Sequence, residues 1–248
     1  MAERETHEEN GKAEFSRALG AELAALAEPK PEKPGEFLGD GLQYKVYEIQ
    51  NGRVRKLSNT AEESAQKLAD WNGESDPTAA QKQAAEEVFA ATRDNEAHFK
   101  KLLDEYPELG EYLANPSFLP EGGYDQDKSQ TLHELLAAAD PEQARAVFES
   151  YAYGKLLEWE YGFSDASFNP TVNNAVNEHG EVVLLDFGDA STDPEKIEKD
   201  IEQKRWLTQW SYVNDIPEPL KPIFAEVMDS IVTKEAFDEN WEAMLYRA

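Results

Sequence analysis

The sequence predicts an α+β fold, with a small antiparallel sheet near the start of the chain and helices through most of the rest. Three observations predict it. Short apolar stretches separated by glycine and asparagine turns fill residues 37–57. Helix-capping signals predict helices between residues 60 and 106, and apolar residues between 141 and 160 suit a buried helix. A run of four apolar residues at 182–185 has the length of a short buried strand.

Composition narrows the choice of partners. The chain has 248 residues, enough for one two-lobed domain or two small ones. Its 51 acidic and 24 basic residues give a formal net charge of −27, which repels phosphate backbones and anionic membranes. We therefore expect no nucleic-acid or membrane partner. The chain has no cysteine, which excludes disulfides and thiolate metal sites.

The first 35 residues are predicted to be an extension. Residues 13–27 carry apolar side chains at helical spacing, and a proline-rich linker over residues 29–35 follows. The N-terminus is acidic and lacks an apolar signal region, and no apolar run approaches a membrane span. These features predict a soluble, cytoplasmic protein whose main domain begins at residue 36.

The first strands carry a glycine-rich turn. The stretch 37–49 has the pattern strand, glycine turn, strand, and Asn51-Gly52 predicts a hairpin to a third strand at 54–57. Gly39 and Gly41 would let backbone amides approach an anion closely. Lys56, on the third strand, would then reach the same anion.

Helix-capping signals divide the middle of the chain. Thr60 begins a capping box for a helix through Trp71, and Asp76-Pro77 is the predicted start of a long helix to Tyr106. Two strands with a glycine turn are expected between residues 116 and 126. A helix should begin at Thr131, and Asp140-Pro141 should cap a buried one.

The strand at 182–185 ends in Asp186, which is followed by Phe187 and Gly188. A carboxylate at the end of a rigid strand is suited to hold a hard cation such as Mg²⁺. The amides of Asn173 and Asn174 lie just before the hairpin and are expected to share that cation.

Three motifs resemble those of the protein-kinase-like superfamily, and they occur in the same order. Residues 38–46 resemble the glycine-rich loop L-G-x-G-x-x-G-x-V, with Tyr44 in place of the third glycine. Residues 54–56 resemble the V-A-I-K strand, and residues 186–188 match D-F-G. The chain looks most similar to the small atypical and aminoglycoside-phosphotransferase-like members.

The resemblance implies a two-lobed protein-kinase-like fold, with an N-lobe at 36–128 and a mostly helical C-lobe at 129–248. It implies ATP and Mg²⁺ as cofactors in the cleft between the lobes. Its implied nucleotide-binding residues are Gly39, Gly41, Val46 and Lys56. Glu96, or as a second choice Glu87, would pair with Lys56, and Asp186 with Asn173 or Asn174 would hold the metal.

The catalytic loop departs from the family pattern. No histidine precedes the acid, and Asp165 lies too far from either asparagine for the usual spacing. In one interpretation the loop is longer and Asp165 reaches in as the catalytic base. In the other, Asn169 occupies the base position, and the protein is a poor catalyst or a pseudokinase. The first is favoured because Asp165 is the only carboxylate between residues 162 and 174.

The leading hypothesis is therefore an ATP/Mg²⁺-dependent phosphotransferase that acts on a protein hydroxyl or a small molecule. The alternatives are a pseudokinase-like nucleotide-binding or regulatory module, and nucleotidyl transfer on a kinase-like fold. The sequence leaves the acceptor unknown.

Overall fold

The computed structural model describes residues 35–247. The predicted helix at 13–27 and nearly all of the proline-rich linker lie outside the described residues. The α+β class is confirmed, because a five-stranded antiparallel sheet occupies the first part of the described chain and helices dominate the second. This arrangement is the one expected of a two-lobed kinase-like fold.

The sheet is built from hairpins, as its turn residues predict. Its strand order is β1-β2-β3-β5-β4, and all neighbours are antiparallel. Asn51 and Gly52 adopt φ values of 63° and 68°, the left-handed geometry of a tight hairpin turn. The register sets Lys56 opposite Val46 on one side and Tyr124 on the other. The strands are β1 Phe37–Asp40, β2 Tyr44–Ile49, β3 Arg53–Ser58, β4 Ser117–Phe118 and β5 Tyr124–Asp127.

Two helices accompany this sheet. Helix α1, Ala61–Trp71, has the predicted capping box on Thr60. Helix α2 spans Ala79–Glu105, and its N-cap is Thr78. The predicted cap at Asp76 is wrong by two residues, because the Thr78 hydroxyl accepts from the Gln81 amide while the Gln81 side chain accepts from the Thr78 amide. That reciprocal pair satisfies the helix end, and Asp76 is left outside it.

The rest of the chain is mostly helical, around one large apolar core. Helix α5, Pro141–Glu160, is its central element and contributes the fully buried Phe148, Tyr151 and Trp159. Within residues 35–247 no helix is long and apolar enough to cross a bilayer. The helices are α3 Leu109–Tyr112, α4 Leu132–Leu136, α5 Pro141–Glu160, α6 Pro170–Asn173, α7 Pro194–Glu202, α8 Lys221–Ile231 and α9 Lys234–Arg247. The remaining strands are β6 Gln130–Thr131, β7 Ser164–Asp165, β8 Asn174–Val176, β9 Val182–Leu184 and β10 Ala190–Ser191.

An aromatic cluster joins the sheet to the second part of the chain. Phe187 is fully buried, with its ring centroid 4.5 Å from that of Phe99 on α2 and 4.6 Å from that of Tyr124 on β5. Phe163 packs edge-on against Phe99 at 4.9 Å. These contacts hold the residues on either side of Phe187, Asp186 and Gly188, beside the end of the sheet.

The close approach of the turn before β5 to strand β3 leads to a prediction about stability. Gly123 has φ of +86°, and a Cβ there would lie 2.0 Å from the Lys56 carbonyl oxygen. Gly73 has a similar φ of +73° but nothing within 4 Å of an added Cβ. We expect Gly73→Ala to lower the free energy of unfolding only by the cost of the left-handed conformation, roughly 1–2 kcal/mol. Gly123→Ala should lower the free energy of unfolding by more, because strand β3 must also move away from the added Cβ. Urea unfolding of both variants measures the difference, and equal losses would contradict the close approach.

Candidate functional site

The glycine turn between β1 and β2 is held in place from one side. The Gly41 amide donates to the Tyr44 carbonyl at 2.8 Å, so it is already used inside the turn. Asn59 donates to the carbonyls of Gly41 and Leu42 at 2.9 and 3.0 Å. Gly39 pairs with Val46 across the two strands, and an added Cβ on Gly39 would meet no atom within 4 Å. The predicted nucleotide-binding residues thus lie together, with open space above Gly39.

Lys56 is buried beneath this turn. Its ammonium donates to the Leu185 carbonyl at 2.9 Å and lies 5.8 and 5.4 Å from the ring centroids of Tyr44 and Tyr124. Only 7% of the residue is exposed. Burial lowers the pKa of Lys56, and the nearby Asp186 carboxylate opposes that shift. Lys56 therefore reaches the predicted region but faces a carbonyl and two rings.

Glu96 is the acid that α2 turns toward the sheet, whereas Glu87 is exposed. The Glu96 carboxylate accepts from the Ser58 hydroxyl at 2.6 Å and from the Gly123 amide at 3.0 Å. In residues 35–247 no ion pair joins Glu96 to Lys56. The structure places both side chains near β3 but ties each to other groups.

Tyr44 fills the space between the turn and Lys56. It is 3% exposed, and its ring meets that of Tyr124 edge-on at 5.5 Å. Burial raises the pKa of Tyr44, with Asp186 and Glu96 adding to the effect, so the hydroxyl stays protonated. The neighbouring Gln43 donates to the Asp189 carboxylate at 2.9 Å. In the sequence, Tyr44 is notable only as a departure from the glycine pattern.

Asp186 and Asn173 lie side by side. The Asn173 backbone carbonyl accepts from the amides of Leu185 and Asp186 at 2.7 and 3.3 Å. One Asp186 carboxylate oxygen accepts from the Gly188 amide at 3.0 Å. The Asn173 amide nitrogen donates to the Ser167 hydroxyl at 2.8 Å, and Asn173 is partly exposed. Asn174 is buried, and neither of its amide atoms has a partner in the described part of the chain. Of the two asparagines, Asn173 is the better candidate ligand.

Asp165 lies in the interior. It is completely buried on β7, where its backbone pairs with Ala190 of β10. One carboxylate oxygen accepts from the amide and hydroxyl of Ser167 at 3.0 and 2.7 Å, and the other lies 3.4 Å from the Lys155 ammonium. An acceptor hydroxyl has no access to a carboxylate in this position. Asn169, the alternative at the base position, is partly exposed, and its amide oxygen accepts from the Ser211 amide at 3.5 Å.

A buried charge cluster supports this loop and was not predicted from the sequence. Lys155 and Glu158 are both fully buried on α5, and the ammonium donates to both Glu158 oxygens at 3.0 and 3.1 Å. Glu158 also accepts from the Asp165 amide at 2.8 Å and from the Tyr112 hydroxyl at 2.7 Å. Burial acts to lower the pKa of Lys155, but Glu158, Tyr151 and Asp165 together outweigh it and the pKa is raised. The available signal was a Lys and a Glu three residues apart on a helix that the sequence predicts to be buried.

The residues present fit a metal better than they fit a triphosphate. Asp186 and Asn173 offer the carboxylate and amide oxygens that Mg²⁺ prefers. Among residues 35–247, no three histidine or acidic side chains converge on one point, so the rest of the coordination would come from a ligand or water. The phosphate-binding part fits poorly, because Tyr44 covers Lys56 and the Gly41 amide is used within its own turn.

Comparisons with known proteins give little beyond this geometry. No family model matches the chain. No curated protein matches it either. Among solved structures, the chain is similar to one described as a co-crystal structure of WbdD and the kinase inhibitor LY294002, with 16% sequence identity and a TM-score of 0.45. The match covers 85% of this chain and 45% of that one, so the present chain spans less than half of its length. A likeness of this strength carries no argument about function.

The charge cluster leads to a stability prediction. Lys155→Met leaves Glu158 and Asp165 buried without a cation, and such a loss typically costs about 3–5 kcal/mol. Arg145, which pairs with Glu226 at 3.1 Å on the surface, provides the control. Arg145→Met should change the free energy of unfolding by about 0–1 kcal/mol. Chemical denaturation compares the two, and similar losses would contradict a buried, obligatory pair.

The two asparagines lead to a prediction about metal binding. Asn173→Ala should remove the Mg²⁺-dependent part of any stabilisation by ATP, because the proposed oxygen ligand is lost. Asn174→Ala should keep that part, because Asn174 is buried on the strand that follows. Thermal unfolding with ATP, in Mg²⁺ or in excess chelator, measures the difference. A loss confined to Asn174→Ala would reverse the assignment.

Proposed function

We propose that this chain is a pseudokinase-like module, which binds a nucleotide weakly and engages a partner but does not transfer phosphoryl groups. The observation that carries the proposal is the position of Asp165. It is the only carboxylate between residues 162 and 174, and it lies fully buried between Lys155 and Ser167. A general base must come within hydrogen-bond reach of the proton that it removes.

The nucleotide part of the proposal rests on Asp186, Asn173 and Lys56. Asp186 and Asn173 would hold Mg²⁺, which would neutralise phosphate charge and fix the phosphates. Lys56 would contact those phosphates only after Tyr44 moves away from its ammonium. The adenine end of the site is assigned to no residue.

The partner is proposed from charge. A chain with a net charge of −27 attracts partners rich in lysine and arginine and accelerates their encounter. We therefore propose a cationic partner, either a basic protein segment or an aminated small molecule, in the cytoplasm.

A second candidate is a transferase that does not use Asp165. It is favoured by Asp186 and Asn173, whose backbones are hydrogen-bonded and whose side chains would supply the oxygen ligands that phosphoryl or nucleotidyl transfer needs. Positioning and charge neutralisation carry much of such catalysis, so a missing base slows transfer without abolishing it.

The test is a transfer assay with ATP labelled at the γ or the α phosphate, in the presence of Mg²⁺. The acceptors are the protein itself, a basic protein and an aminated small molecule. We expect wild type to transfer no more label than Asp186→Asn, which removes the proposed metal ligand. The γ label reports phosphoryl transfer, and the α label reports nucleotidyl transfer.

Asp165→Asn is the matched variant in this assay, with turnover counted per folded molecule. Label transfer by wild type that disappears in Asp186→Asn would overturn the pseudokinase proposal. If Asp165→Asn retained that transfer, the second candidate would replace it. If Asp165→Asn lost it by about 10²–10⁴-fold, the usual scale for a positioned base, Asp165 would be the base after all.

A further inference from the structure

Tyr44 stands where the resembled glycine loop has its third glycine. A glycine there leaves empty space beneath the turn, but here a buried aromatic side chain occupies it. The ring packs edge-on against Tyr124, which is itself stacked on Phe187. Tyr44 is thus the outermost member of an aromatic stack that continues into the core.

This stack encloses the Lys56 ammonium. The ammonium lies within 6 Å of the ring centroids of Tyr44 and Tyr124, and it donates to the Leu185 carbonyl. The carbonyl and the two rings compensate the ammonium only in part, because burial still lowers the pKa of Lys56. A phosphate can reach Lys56 only after the Tyr44 ring has moved.

The turn beside Tyr44 is also closed onto the residues after Asp186. Gln43 donates to Asp189, and an added Cβ on Gly188 would lie 2.5 Å from the Gln43 side-chain oxygen. The turn backbone is tied down by Asn59 and by Ser64, whose hydroxyl donates to the Leu42 carbonyl at 2.8 Å. The group that has to move is therefore the Tyr44 side chain rather than the whole turn.

We propose that Tyr44 is the residue that determines whether this cleft accepts a nucleoside triphosphate. With its ring over Lys56 the phosphate end of the cleft is closed, and MgATP binds only to the fraction of molecules whose Tyr44 has swung out. The apparent dissociation constant is then raised by the inverse of that fraction. This inference rests on the proposed nucleotide binding and does not depend on whether transfer occurs.

The experiment compares MgATP binding by titration calorimetry in wild type, Tyr44→Gly, Tyr44→Phe and Tyr47→Gly. Tyr44→Gly restores the open space, so we expect it to bind MgATP at least about tenfold more tightly than wild type. Tyr44→Phe keeps the ring and should bind as wild type does. Tyr47→Gly controls for the loss of a tyrosine from the same strand, and it should give no gain.

Three results would overturn the proposal that the Tyr44 ring acts as a gate for MgATP. Equal affinity of wild type and Tyr44→Gly would show that the ring is no barrier, although the proposed nucleotide binding would survive. An equal gain in Tyr47→Gly would assign the effect to loosening of strand β2. Absence of MgATP binding by all four proteins would overturn both the gate and the nucleotide binding proposed above.

A second measurement keeps the inference testable if Tyr44→Gly fails to fold, because it needs only the wild-type chain. Lys82 on α2 is exposed, whereas Lys56 is enclosed. An amine-acylating reagent, followed by peptide mass spectrometry, should modify Lys82 at least about tenfold faster than Lys56, because closure shields the amine in all but a small open fraction. Equal rates on the folded protein would show that Tyr44 does not cover Lys56 in solution.

Discussion

The ion pair between Lys155 and Glu158 is the interaction on which the candidate site depends. Both groups are fully buried, and burying an isolated ammonium or carboxylate would cost far more than a domain of this size can offset. Glu158 also accepts the Asp165 amide, which fixes the start of the loop against helix α5. Asp165 then faces Lys155 in the core, and Ser167 links it to Asn173. One buried pair thereby holds the Asp165 carboxylate in the interior, and Ser167 connects that carboxylate to the Asn173 amide.

The chain buries two lysines in physically different ways. Lys155 meets the two carboxylates of Glu158 and Asp165, and its pKa is raised, so its charge is neutralised within the fold. Lys56 meets a carbonyl and two aromatic rings, and its pKa is lowered by burial. No full negative charge compensates Lys56 at contact distance in the described part of the chain. Lys56 can therefore still pair with an anion, whereas the charge of Lys155 is already compensated by Glu158 and Asp165.

The sequence motifs and the geometry of the site point to different functions. The motifs of the sequence imply an active phosphotransferase with Lys56, Glu96 and Asp165 in catalytic roles. In the structure, Glu96 is bonded to Ser58 and Gly123, and Asp165 is held by Lys155. The geometry therefore supports binding better than catalysis.

Most of the strands and helices, and their order, follow from local sequence signals. Local chemistry was enough for this: Asn51-Gly52 made the hairpin, Thr60 capped a helix, and the apolar run before Asp186 became the strand β9. These features depend on neighbours within a few residues, and the start of α2 was misplaced only because two adjacent capping patterns competed. The nearness of Asp186 to Asn173 also followed from a short hairpin.

Which polar groups are buried and which are exposed depends on contacts between distant parts of the chain. Asp165 and Tyr44 illustrate why. Spacing alone does not fix the direction in which a loop carboxylate points. Here the direction is set by Lys155, ten residues earlier on helix α5. The Tyr44 ring was placed by Tyr124, eighty residues later on a strand that pairs with β3. Burial of a charged or aromatic group is settled by such distant partners, because desolvation depends on everything that surrounds the side chain.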